Sequence, residues 1–280
     1  MTRILVTGAM GLLGRELVRA FRGDGDDVVG LGRLDLDLED PQSTSRIDAF
    51  VPDVVINAAA WTDVDGSARD PDRAMRINGV GPGLVARASA RSNALVVQIS
   101  TNEVFEGAHE RSYSEDDSPN PSNPYGASKL AGEEAVATST ERHLIVRTAW
   151  LYGPDRGFPA RIRAAADRLG SNQPLRVVDD EWGNPTPASS LAAAIVASTR
   201  LALRDESLRL IHLAGEPPTT RYDWAALALG DWHGQLERIK RRDYPRASTV
   251  PEHAVLSTAR AYSLGLPPIR WEQAPNGESR

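Results

Sequence analysis

Apolar residues in the first half of the chain gather in short β-branched runs: RILVTG at 3–8, DVVGLGR at 27–33, DVVINAAA at 53–60, ALVVQIST at 94–101 and HLIVRTAWLYG at 143–153. Their lack of strong polar alternation is the pattern of strands buried on both faces. Amphipathic stretches at 12–22 and 71–91 read as helices between them. Strand and helix in turn predict a parallel sheet with right-handed crossovers, wound on both faces. After about 153 the pattern is mixed, with a helix around 158–169, a strand LRVVDDE at 175–181, a helix around 186–204, a strand LRLIHLAG at 208–215 and a helix around 220–230. The 208–215 run reads as one more core strand. The expected division is therefore a larger domain of 1–150 plus roughly 185–215, and a smaller interleaved α/β domain of 151–184 and 216–280. The segment 105–124, rich in Ser, Pro, Asn and acids, reads as a long surface loop.

Composition narrows the function classes. The chain has 280 residues, 41% hydrophobic and 25% charged, an ordinary balance for a soluble globular protein. A net charge of −6, with arginines spread along the whole sequence, argues against a nucleic-acid partner. Zero cysteine removes disulfides and thiolate metal sites and fits a reducing compartment. The start MTRILVTG passes straight into a strand, and no apolar run approaches membrane-spanning length, so the expectation is a cytoplasmic protein without a membrane partner. The histidines at 109, 143, 212, 233 and 253 have no metal-ligand spacing, and no metal is expected.

Two motifs carry chemistry. The first strand runs into GAMGLLG, with Gly8, Gly11 and Gly14 three residues apart, and then into a helix. Such a turn allows close backbone approach to a pyrophosphate, and the helix N-terminus supplies donors, so it reads as a dinucleotide cradle. After the second strand come Arg33, Asp35 and Asp37. Arg33 favours a 2′-phosphate and hence NADPH, while the acids leave NADH open. Small residues at 57–60 would let a cofactor lie against the third strand's end, and Ser100 and Thr101 bring hydroxyls to the same edge. The second motif is NPYGASK at 123–129, where Asn123 suits the N-cap and Pro124 the first helical position. Tyr125 and Lys129 then share one helix face as an acid/base pair. In a hydride-transfer site Tyr125 would protonate a developing alkoxide, and Lys129 would depress the phenol pKa and hold the nicotinamide ribose.

These residues resemble the extended short-chain dehydrogenase/reductases, and within them the dTDP-4-dehydrorhamnose reductase group. The likeness runs over nearly the whole chain through GAMGLLG at 8–14, PDVVINAAAWTDVD at 52–65, Asn78, ISTNEVFEG at 99–107, NPYGASKLAGE at 123–133, IVRTAWLYG at 145–153, VVDDEWGNPT at 177–186 and LGLPPIRW at 264–271. It implies a Rossmann-type doubly wound fold with a smaller C-terminal substrate domain. The implied activity is NAD(P)H-dependent reduction of the 4-keto group of a dTDP-4-keto-6-deoxyhexose, in rhamnose or related deoxysugar supply. A nucleotide-sugar epimerase or dehydratase of the same fold, and a non-catalytic dinucleotide-binding regulatory subunit, stay open beside it. So does a homodimer.

By position the resemblance implies Thr101, Tyr125 and Lys129 as catalytic residues. It implies cofactor contacts from Gly8, Gly11, Leu12, Leu13, Gly14, Arg33, Asp37, Leu38, Ala58, Ala59, Ala60 and Thr62, and sugar contacts from Val64 and Trp150. Three departures stand out. Asn102 and Glu103 replace an Asp-Tyr pair, which puts a carboxylate where a tyrosine would face the sugar. Glu181 replaces a glutamine. Val250 replaces an arginine expected near the substrate diphosphate, a loss that Arg246 or Arg161 would have to make good.

Overall fold

A computed structural model describes residues 1–169 and 173–271; the end of the expected smaller domain, 272–280, lies outside them, as does 170–172. Six parallel strands form the central sheet: β1 (Arg3–Thr7), β2 (Asp27–Leu31), β3 (Val54–Asn57), β4 (Leu95–Thr101), β5 (His143–Thr148) and β6 (Leu210–His212). Their order is β2-β1-β3-β4-β5-β6. The 208–215 run thus joins the sheet beside β5, as its pattern predicts.

Alternate strand residues feed opposite cores, which is why polar and apolar positions do not alternate. Ile4, Val6, Val97 and Val146 pack under α1 (Leu12–Gly23) and the helix Ala188–Ala202, with Leu17, Phe21, Leu191 and Ile195. Leu5 and Val55 pack on the other face against Val85 and Ala88 of α2 (Gly81–Ala90), while Val96 and Ile145 meet Val136 of α3 (Pro124–Ser139). The order reverses between β1 and β3, which opens a crevice at their C-terminal ends. A second α/β unit packs the helices Phe158–Leu169 and Arg221–Leu229 over the parallel strands Leu175–Val178 and Leu236–Ile239.

Two expectations need correction. The 71–91 stretch is helical but not one regular helix, since a π-helical segment, Met75–Val80, separates the turn Pro71–Ala74 from α2. Asn78 in that segment bonds the Trp61 backbone in both directions, its Oδ1 accepting from Trp61 N at 2.8 Å and its Nδ2 donating to Trp61 O at 2.9 Å. The 105–124 segment lacks regular structure but is not simply a surface loop. Phe105 and Tyr113 are buried and stacked at 4.3 Å, and the backbone of Tyr113 bonds Val255 and Ser257. Two aromatic rings among many polar residues suffice to pin it down, because each buries a large apolar area.

Candidate active site

The crevice begins at the glycine-rich turn. Gly8 has φ +63°, and a Cβ there would lie 2.8 Å from the Ala59 backbone. A Cβ on Gly14 would lie 2.2 Å from the Gly8 carbonyl oxygen. Both positions need glycine, and the result is a flat backbone floor leading to the N-terminus of α1, whose Gly11 cap has no side chain to occupy the free N–H groups. Leu13 is buried in the core and Leu12 packs on Gly153, and neither they nor Gly14 line the crevice. The open cleft of about 250 Å³ is lined by Gly8, Gly11, Arg33, Asp37, Leu38, Ala58, Ala59 and Ala60 among others. Thr62, by contrast, is exposed and is not among the lining residues. Asp35 is spent on the turn, accepting from Gly32 N at 2.9 Å, whereas Arg33 is largely exposed and pairs with Asp37 at 3.5 Å. A dinucleotide fits this cradle: close-approach glycines, free helix amides and an arginine at the mouth. Met10 and Trp61, within the motifs at 8–14 and 52–65 but not singled out there, also line it, as does Arg73, which lies in no motif.

At the C-terminal end of β4 the helix α3 presents Tyr125 and Lys129. Asn123 caps it as expected, its Oδ1 accepting from Gly126 N at 2.8 Å, with Pro124 in the first turn. The Tyr125 phenol meets the Thr101 hydroxyl. Burial and then the Glu103 carboxylate push its pKa well above the ordinary tyrosine value, with the Thr101 bond opposing. Lys129 donates from Nζ to the Ile99 carbonyl at 2.7 Å, and burial brings it down to about 8, Glu133 acting against that. The spacing predicts that Lys129 depresses the phenol; in the structure its ammonium is turned to a backbone oxygen, and the phenol is not lowered. Ser100 also departs from expectation. Its hydroxyl points to the opposite face and donates to Glu133, which forms a buried pair with Arg147 at 2.7 Å. Neighbouring strand residues face opposite ways, so β4 sends Thr101 to the crevice and Ser100 beneath it.

Sequence and structure comparisons bear on what this arrangement is. The family described as the RmlD substrate binding domain matches residues 1–276. A dTDP-4-dehydrorhamnose reductase of Streptomyces griseus is 38% identical over 99% of this chain and 92% of its own length. The chain belongs to the dTDP-4-dehydrorhamnose reductase family. A dTDP-4-keto-6-deoxy-D-glucose reductase of Streptomyces niveus is 34% identical, covering 97% of this chain and 94% of its own. The dTDP-4-dehydrorhamnose reductase of Bacillus anthracis, solved in complex with NADP, superposes with a TM-score of 0.89 at 27% identity, covering 97% of this chain and 96% of that one. That superposition extends over the six-stranded sheet described above.

Where the chain departs from the usual reductase pattern, the structure shows a charged network. Glu103 is partly buried and accepts from Asn123 Nδ2 at 2.7 Å; burial raises its pKa, with Asn123, Arg246 and Arg221 opposing. Buried Glu181 pairs with Arg221 at 3.3 Å and Arg246 at 3.6 Å, and Arg246 also reaches Asp65 at 3.3 Å. Arg246 is therefore already engaged by two acids, and Val250 is itself buried, its carbonyl accepting from Arg241. Half-buried Val64 opens the short helix Val64–Arg69 next to Asp65. Trp150, at φ +42°, stacks on Trp224 at 5.7 Å, with the Arg221 guanidinium 3.6 Å from its ring centre and Gly183 against the ring. It is a packing element as well as a candidate wall. Asn102 is structural, donating to Ala254 O at 3.0 Å. Among the described residues no cluster of acids or histidines could hold a metal ion, and no helix is long and apolar enough to cross a membrane.

Proposed function

We propose that this protein is an NADPH-dependent reductase, able also to use NADH, that converts the 4-keto group of a dTDP-4-keto-6-deoxyhexose to an alcohol. The observation that supports this reading is the Tyr125 phenol beside Thr101 at the C-terminal end of β4, on the sheet edge that holds the glycine turn, with Lys129 one turn further along the same helix. The names of the Streptomyces relatives supply the substrate class. A nicotinamide dinucleotide held by the glycine turn would supply the hydride for the carbonyl carbon.

In this reading Gly8, Gly11, Leu12, Leu13 and Gly14 offer backbone to the pyrophosphate, and Ala58, Ala59 and Ala60 let the cofactor lie close to the sheet. Arg33, Asp37 and Leu38 receive its adenosine end. Thr101 and Tyr125 hold the substrate carbonyl oxygen. A phenol with a raised pKa is protonated at neutral pH, so Tyr125 stands ready as the donor that reduction requires. As negative charge develops on that oxygen, Tyr125 passes its proton over, and Lys129, one helical turn on, contributes positive charge on the same side while its ammonium stays bonded to the Ile99 carbonyl. Trp150, Val64 and Glu103 border the sugar, and residues 151–184 and 216–271 form the substrate-binding part. A cytoplasmic setting, where nucleotide sugars and reduced dinucleotides are kept, suits this chemistry.

The test is to mix the protein with NADPH and a dTDP-4-keto-6-deoxyhexose. One NADPH should be oxidised per alcohol formed. Conversion of the sugar without net oxidation would instead assign an epimerase or dehydratase, and binding without turnover would assign a regulatory subunit.

A further inference from the structure

At the mouth of the cleft three arginines surround one carboxylate. Glu39 lies 3.4 Å from Arg33, 3.9 Å from Arg73 and 3.4 Å from Arg76, and Asp37 lies 3.5 Å from Arg33. Arg33 follows β2, whereas Arg73 comes from the helical turn Pro71–Ala74, so the two reach Glu39 from separate elements. Both line the cleft; Arg76 does not. Arg73 is also well anchored. Its backbone N–H donates to Asp70 Oδ1 at 3.0 Å, and its guanidinium lies 4.8 Å over the ring of Trp61, whose backbone Asn78 clamps.

We propose that Arg73 and Arg33 together form a subsite for the 2′-phosphate of the dinucleotide, with Glu39 as the placeholder anion that the phosphate displaces. This rests on the dinucleotide reading above and extends it to a residue that the glycine motif and the second strand do not mark. The exchange is favourable on simple grounds. Partly exposed pairs such as these are weak and bind Glu39 loosely. A phosphate monoester carries nearly two charges and three acceptor oxygens, so it can take charge-assisted bonds from both guanidiniums at once. Three guanidiniums share the one Glu39 carboxylate, so each keeps donor N–H groups that it does not give to that acid.

The test compares binding of adenosine 2′,5′-bisphosphate and adenosine 5′-monophosphate by calorimetry, since the two differ only in the 2′-phosphate. Arg73→Ala should cut the preference for the bisphosphate by about tenfold, the worth of one charge-assisted hydrogen bond, with a much smaller loss of monophosphate binding. Glu39→Gln should raise that preference, a change of opposite sign that misfolding cannot produce. Arg76→Ala should have the smallest effect. An unchanged preference in Arg73→Ala, an equal loss for both nucleotides, or a fall in Glu39→Gln overturns the proposal while leaving the dinucleotide reading intact. If the native protein binds neither nucleotide, the reading beneath it fails as well.

Discussion

At its glycine-rich end the crevice is shaped by backbone, where a Cβ on Gly14 would lie 2.2 Å from the Gly8 oxygen; at its Tyr125 end it is shaped by charge, where Glu103, Glu181, Arg221 and Arg246 converge from four separate segments. The first end has no room for an added methyl on its floor, and its charges sit at the exposed mouth. At the second, the outcome of a change depends on which charges keep a partner, because a buried ion that loses its partner has nothing to replace it. Binding and chemistry along one sheet edge thus rest on different physics and should fail in different ways.

The sharpest way to separate the two ends is Lys129→Met. It should lower kcat by roughly 10²–10³, as loss of a preorganised charge does elsewhere, with dinucleotide binding weakened far less, measured by steady-state kinetics and fluorescence titration. Next is Glu133→Gln, which leaves Arg147 charged and buried at 4% side-chain exposure. It should cost about 3–5 kcal/mol in a denaturant titration. The same variant tests the wiring beneath Lys129. In the native protein kcat/KM should fall as pH rises through about 8, where the Lys129 ammonium loses its proton. Glu133 holds that value up, so the fall in Glu133→Gln should begin at lower pH.

Gly14→Ala should destabilise by about 1–3 kcal/mol through overpacking and weaken dinucleotide binding, while leaving the pH profile in place. Glu103→Gln should have the smallest effect on stability. Its carboxyl titrates above its ordinary value in the folded chain, so the folded state binds the proton more tightly and stability falls as pH rises through that window. Removing the charge should therefore stabilise the protein slightly at neutral pH and flatten that slope.

The same contrast explains what the sequence makes legible. The glycine turn and NPYGASK each lie within seven residues, so local spacing specifies their geometry, and β1 to β6 follow from continuous apolar runs. The charged network has no such signature. Asp65, Glu103, Glu181, Arg221 and Arg246 meet only because the chain folds, and Arg73 reaches the cleft from a turn that reads as ordinary helix. Glu133 was within reach, since it follows Lys129 by one helical turn. The expected depression of the Tyr125 phenol fails because helical spacing places two side chains near each other but cannot show the Ile99 carbonyl that competes for the ammonium. The 105–124 segment is misread because composition averages over Phe105 and Tyr113.

The central claim is that the Tyr125 phenol gives its proton to the reduced carbonyl. Single-turnover mixing of Tyr125→Phe, preloaded with NADPH, with a dTDP-4-keto-6-deoxyhexose tests this most directly. Cofactor oxidation should slow by roughly 10²–10⁴ relative to the native protein while NADPH affinity is retained. Oxidation at the native rate would contradict the account.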